Sequence, residues 1–201
     1  MVSTTLLLPI LLGCMVGQKR ASDMVDVVKL CPQIKIDLRY GTKHNGVGAA
    51  VYPVGSRCLL RRGTADRLIK VQKQLGKKGL GLLVWDAYRP LSAQKALWAV
   101  KPDPRFVAPP ARGSRHNRGA AVDLTLVDKD GHELPMPSGF DEFSIRARPT
   151  YKGGSKSSRA NRDILRAAMM AQGFFPDKNE WWHFNDPDWP NYGLVDVSLR
   201  R

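Results

Sequence analysis

Two stretches of the chain carry apolar residues at helical spacing. Between Gly63-Thr64 and the glycines at 76 and 79, Ala65, Leu68, Val71 and Leu75 fall on one face and predict an amphipathic helix packed on a sheet. Further on, Ile164, Leu165, Ala168 and Met169 predict a second, ending at Gly173. Leu80 to Trp85 is a short apolar run with glycine punctuation and predicts a buried strand. Pro90 suits the first turn of a helix over Leu91 to Val100. A stiff connection with four prolines (102, 104, 109 and 110) then leads to Gly113-Ser-Arg-His116. Ala120 to Val127 alternates: Val122, Leu124 and Leu126 form the apolar face, while Ala121, Asp123 and Thr125 share the other, so Asp123 points away from the core side. Glu180 to Phe184 is aromatic and strand-like, closed by Asp186-Pro-Asp-Trp-Pro190. Helices and strands mixed in this order predict an α+β domain.

The 201 residues fit one domain, and 43% hydrophobic residues with 5 Trp, 5 Tyr and 6 Phe suffice for a packed core. The net charge of +14 favours adsorption to a polyanion. No basic stripe with interleaved aromatics accompanies it, which argues against a nucleic-acid module and suits an anionic cell envelope. The dense run from Arg146 to Arg166, with Lys152-Gly-Gly-Ser-Lys156, reads as a solvated loop entering a helix. Leu6 to Gly13, followed by Cys14, resembles a bacterial lipoprotein signal, although nothing before Lys19 is basic. The expected organisation is therefore a leader over 1–13, a tether over 14–30 and one domain over 31–201, exported and lipid-anchored through Cys14, or cytoplasmic if the leader does not act as a signal. Cys31 and Cys58 remain as a pair that either bridges or stays as two buried thiols. Without a CxxC spacing, a cysteine zinc site is excluded.

Chemistry begins with four histidines: His44, His116, His132 and His183. His116 has Asp123 seven residues on, across Gly119, so a loop imidazole and a strand carboxylate can converge. His183 has Glu180 three residues before it, with two tryptophans between to exclude water. Positions three apart face opposite sides of an ideal strand, so a shared site needs a bulge or places Glu180 in the turn before the strand. Each pair alone is a weak signal. If they meet, His116, Asp123 and His183 give three ligands with a fourth position open, the arrangement of a catalytic zinc, and Glu180 is free to move a proton. Arg89, held by Pro90 and the following helix, is either an oxyanion stabiliser or a surface ion-pair partner. Asp86 is most simply its orienting partner.

Several separated blocks resemble the D-alanyl-D-alanine dipeptidases, zinc peptidases that include the vancomycin-resistance dipeptidase. They are Asp37-Leu-Arg-Tyr40, Cys58-Leu-Leu-Arg-Arg62, Trp85-Asp-Ala-Tyr-Arg-Pro90, Ser114 to Leu126, Met136-Pro-Ser-Gly-Phe-Asp141 and Glu180-Trp-Trp-His183, spread from Ile36 to Val197. The resemblance implies an α+β fold whose central antiparallel sheet, flanked by helices, carries the zinc site, as in D,D-peptidases and hedgehog domains. It implies one zinc ion on His116, Asp123 and His183, Glu180 as general base and then proton donor, and Arg89 as oxyanion stabiliser. Tyr40, Ser114 and Asp141 fall where the family contacts the two charged ends of D-Ala-D-Ala. Thr42 to Val51 departs from the asparagine-phenylalanine-x-glycine run of the family. His44, in that segment, and His132, in Asp130-Gly-His-Glu133, read as exposed loop histidines. Two other readings share the metal set: a D,D-carboxypeptidase or endopeptidase acting on peptidoglycan stems, and a non-catalytic zinc-binding envelope protein like the hedgehog domains.

Overall fold

The computed structural model describes residues 23–104 and 107–200. The leader, Cys14 and most of the expected tether lie outside the described residues. Residues 24–30 do not behave as tether: strand β1 (Met24–Asp26) pairs antiparallel with β3 (Leu59–Arg61), and helix α1 (Val27–Leu30) follows it directly. Val27 and Leu60 are fully buried, so this segment gains enough apolar burial to order it. Among the described residues, no helix is long and apolar enough to cross a membrane.

The main sheet has five strands in the order β2-β4-β5-β7-β6. These are β2 (Lys35–Ile36), β4 (Gly81–Asp86), β5 (Ala121–Val127), β6 (Phe175–Pro176) and β7 (His183–Asn185). The expected antiparallel sheet holds except at one edge, where β2 runs parallel to β4. A long crossover through α2 (Arg62–Gly76) separates those two strands, which is what parallel pairing requires. Val122, Leu124 and Leu126 of β5 enter the main core with Leu68, Val71 and Leu75 of α2 and Leu165, Ala168 and Met169 of α4 (Lys156–Ala171). The other face of β5 is buried as well, so Asp123 points away from this core into a second enclosed layer and not toward water. Helix α3 (Leu91–Val100) spans the expected residues.

Register builds the site. Asp123 pairs with His183 on β7 and with Asp86 on β4, so three chemistry-bearing residues stand in one row across neighbouring strands. The β4–β5 register shifts between Val84 and Asp86, opposing Trp85 and Asp86 to Asp123 alone. This bulge brings Asp86, and not Trp85, beside Asp123. Cys31 and Cys58 are both buried free thiols, the second of the two outcomes open in the sequence.

Candidate active site

His116 opens a turn of 3-10 helix, His116–Arg118, that ends on Gly119 in the left-handed conformation at φ +68°. Its Nδ1–H donates to the Ala87 carbonyl at 2.7 Å, which leaves the Nε2 lone pair facing the row of strands. His183 is oriented in mirror fashion: Nε2 lies 2.9 Å from Asn185 Oδ1, so Nδ1 is the nitrogen turned toward Asp123. His116 Nε2 and His183 Nδ1 are 3.2 Å apart, His183 Nδ1 and Asp123 Oδ1 2.9 Å, and His116 Nε2 and Asp123 Oδ2 3.5 Å. Three ligands on a tetrahedral ion with bonds of about 2.0–2.1 Å stand about 3.3 Å apart, so the donor set fits zinc in element type, number and spacing. His116 and Asp123 are buried and His183 nearly so.

Glu180 lies in the turn before β7, the alternative that strand geometry left open, with Oε2 3.9 Å from His183 Nδ1. The turn is fixed by its tryptophans. Trp181 N–H donates to the Ala147 carbonyl, its indole donates to Ser138 Oγ at 2.9 Å, and the Trp182 carbonyl accepts from Leu124 N–H. Trp85, Phe140, Trp181 and Trp182 pack against one another, edge to face except for the tilted Trp85–Phe140 pair. Withdrawal from water, reinforced by Asp123, Asp141 and Asp177, outweighs the pull of His183 and raises the Glu180 pKa to about 8. Burial alone lowers the His183 pKa, but Asp123 and Glu180 more than offset it and it stands at about 9. Burial likewise works against the Asp123 carboxylate, yet His116 and His183 hold it well below the usual range.

Arg89 is buried, with Nε and Nη2 on Asp86 Oδ2 at 3.1 and 2.6 Å and Nη1 on Gln94 Oε1 at 3.1 Å. Asp86 accepts on its other oxygen from Tyr52 O–H at 2.6 Å and Ala87 N–H at 2.9 Å, and its Oδ2 lies 3.4 Å from His116 Nδ1. One carboxylate therefore orients the arginine and stands beside a histidine of the donor set. Tyr52, Gln94, Asn117 and Asn185 were not singled out from the sequence. Asn117 joins the loop to Arg89 by donating to its carbonyl at 2.7 Å.

Tyr40 O–H and Gly46 N–H both donate to Asp141 Oδ2 at 3.0 Å, and the Tyr40 ring lies 4.6 Å under the Arg89 guanidinium. Burial raises the Asp141 pKa to about 6 against these partners. Ser114 lies on the loop that carries His116, where its hydroxyl donates to Asn117 Oδ1 at 3.0 Å and accepts from Asn117 N–H. His44 and His132 are exposed, as expected. Within the departing segment, Asn45 braces the loop by donating to the carbonyls of Arg39, Thr42 and Ala49.

Replacing Asn185 by alanine is expected to weaken metal binding about 10- to 100-fold by freeing the His183 tautomer, read by competition with a chromogenic chelator. Affinity unchanged in that variant would remove Asn185 from the support of the site.

The family model for M15 peptidases, described as D-Ala-D-Ala dipeptidase, matches residues 20–197. A D-alanyl-D-alanine dipeptidase of Escherichia coli K12 is 38% identical over 174 residues, covering 87% of this chain and 90% of that protein. One from Enterococcus faecium is 33% identical over 181 residues, covering 79% of this chain and 89% of that protein. Among solved structures, an LD-carboxypeptidase studied for peptidoglycan recognition superposes with a TM-score of 0.50 at 19% identity, over 90% of this chain and 77% of that one, a likeness of fold alone. With the family model matching residues 20–197 and relatives above 30% identity, the chain belongs to the D-Ala-D-Ala dipeptidase family and is a peptidase.

Proposed function

We propose that the protein hydrolyses D-Ala-D-Ala to two molecules of D-alanine, with one zinc ion held by His116, Asp123 and His183. The observation that carries this reading is the tetrahedral spacing of those three donors beside Glu180, in a chain of this family. A bound zinc ion supplies Lewis acidity, acidifying water from a pKa of about 15.7 toward about 7 and polarising the scissile carbonyl. Glu180, flanking the donor set and not part of it, takes the proton of the attacking water and passes it to the leaving amine. A guanidinium has five N–H groups; Asp86 and Gln94 engage three of those on Arg89, leaving two for the developing oxyanion. Asp86 keeps the arginine from rotating, so its charge is in place before the reaction.

Asp141, with Tyr40 and Gly46 holding its carboxylate, receives the substrate ammonium. Ser114 serves the carboxylate end, where its hydroxyl has to turn away from Asn117. The reading includes an envelope location through lipid on Cys14, checked by mass spectrometry of the amino-terminal peptide from membrane fractions.

The deciding assay is alanine release from free D-Ala-D-Ala by zinc-loaded protein, with an N-acylated peptide ending in D-Ala-D-Ala beside it. Cleavage of the free dipeptide alone is expected, because the acylated amine offers Asp141 no charge. Preference for the acylated peptide would move the protein to the carboxypeptidases. Zinc bound with neither peptide cleaved would favour the non-catalytic reading.

A further inference from the structure

Among the described residues, Asp141 is the one non-glycine with positive φ, at 54°, so the chain there is bent against its preference to aim a carboxylate. Gly46 meets it from the departing segment. A Cβ on residue 46 would lie 2.7 Å from Asp141 Cβ and 2.6 Å from Phe143 Cε2, so the absence of a side chain is what lets the loop, the carboxylate and the ring come together. Phe143 is half-buried over this glycine, and Lys101 Nζ lies 4.4 Å from its ring centroid. The same ring lines a cavity of about 350 Å³ whose walls include Glu142, Ile145, Arg148 and Glu180.

We infer that Phe143, seated on Gly46, is a specificity-determining wall that limits the size of the substrate's amino-terminal side chain by closing the Asp141 anchor off from the cavity beside Glu180. The inference rests on the dipeptidase reading above. An ammonium held by Asp141 fixes the first α-carbon of the substrate near the ring, so a methyl group fits and a longer branch meets the wall. Gly46 is the positioning residue: a larger side chain there displaces ring and carboxylate together.

The test is a ladder of free dipeptides, D-Ala-D-Ala, D-Val-D-Ala, D-Leu-D-Ala and D-Phe-D-Ala, each keeping the ammonium while the first side chain grows. Steric exclusion of this kind is typically worth 10- to 200-fold, so the kcat/KM ratio of D-Leu-D-Ala to D-Ala-D-Ala is expected to rise roughly tenfold or more in Phe143→Ala, mainly through KM. Phe143→Leu should give a smaller rise and serves if the alanine variant does not fold. Gly46→Ala should raise KM for every member of the ladder. A ratio unchanged in both Phe143 variants, with D-Ala-D-Ala still cleaved by the unaltered protein, overturns this inference alone. No turnover of D-Ala-D-Ala by the unaltered protein overturns the functional reading and this inference with it.

Discussion

Glu180→Ala is expected to lower kcat for D-Ala-D-Ala by about 10²- to 10⁴-fold, the usual worth of a positioned general acid–base, while zinc stays bound at one equivalent. The two halves of this result come from different atoms. Metal retention follows from the donor set, which closes on His116, Asp123 and His183 without Glu180, whose nearest carboxylate oxygen lies 3.9 Å from His183 Nδ1. The loss of rate follows from the missing proton shuttle. The carboxyl sits in a turn braced by Trp181 and Trp182, so the alanine variant should keep the turn and lose only the group. Glu180→Gln preserves size and hydrogen bonding but cannot accept the proton, and it should be equally inactive. Single-turnover alanine release with zinc quantified in the same sample reads both halves, and zinc lost together with activity would make Glu180 a ligand instead of a base.

His116→Ala is expected to lose zinc and turnover together. Two protein donors would remain where three are needed, and the carbonyl of Ala87 would lose the ring N–H that it now accepts. Leaving that buried carbonyl unpaired costs roughly 1–3 kcal/mol, so the urea midpoint of the metal-free variant should also fall. The stability change separates misfolding from loss of a ligand: a cooperative transition with no bound zinc is the expected outcome. His44→Ala, on an exposed loop, is the matched control and should retain both metal and rate. Stoichiometric zinc in His116→Ala would contradict the assignment of this histidine.

Much of the frame could be read from periodicity because it is made of long, strongly patterned elements. Helix α3 spans Leu91–Val100 as expected, and β5 keeps Val122, Leu124 and Leu126 in the core. What escaped was short or unpatterned. The two-residue strand β2 carries no period, and the β4 bulge that re-aims Asp86 inserts one residue with no mark in the sequence. The segment over 24–30 looked like tether because its few apolar residues become informative only once β3 lies beside them. The donor residues were nameable because the motif blocks that carry them are specific together, although each histidine–acid pair alone is a weak signal. Their supports were not, because a buried asparagine, glutamine or tyrosine looks like any other until its partner is known. Asn185 is the exception: it lies two residues after His183 on a strand, hence on the same side, and could have been sought there.

The row formed by Asp86, Asp123 and His183 ties the chemistry to the slowest-opening part of the protein. These residues face one another because β4, β5 and β7 are paired in one register, and a slip of a single residue would turn His183 to the opposite side of the sheet. Asp123 and His183 cannot be drawn apart by backbone motion without breaking central ladder hydrogen bonds, so the Leu124 amide, bonded to the Trp182 carbonyl across that pair, should exchange with deuterium only through near-global unfolding, whereas those of the Tyr40 to Arg57 loop should exchange by local opening. Substrate preference can then drift through the loop while the hydrolytic centre remains as durable as the fold itself.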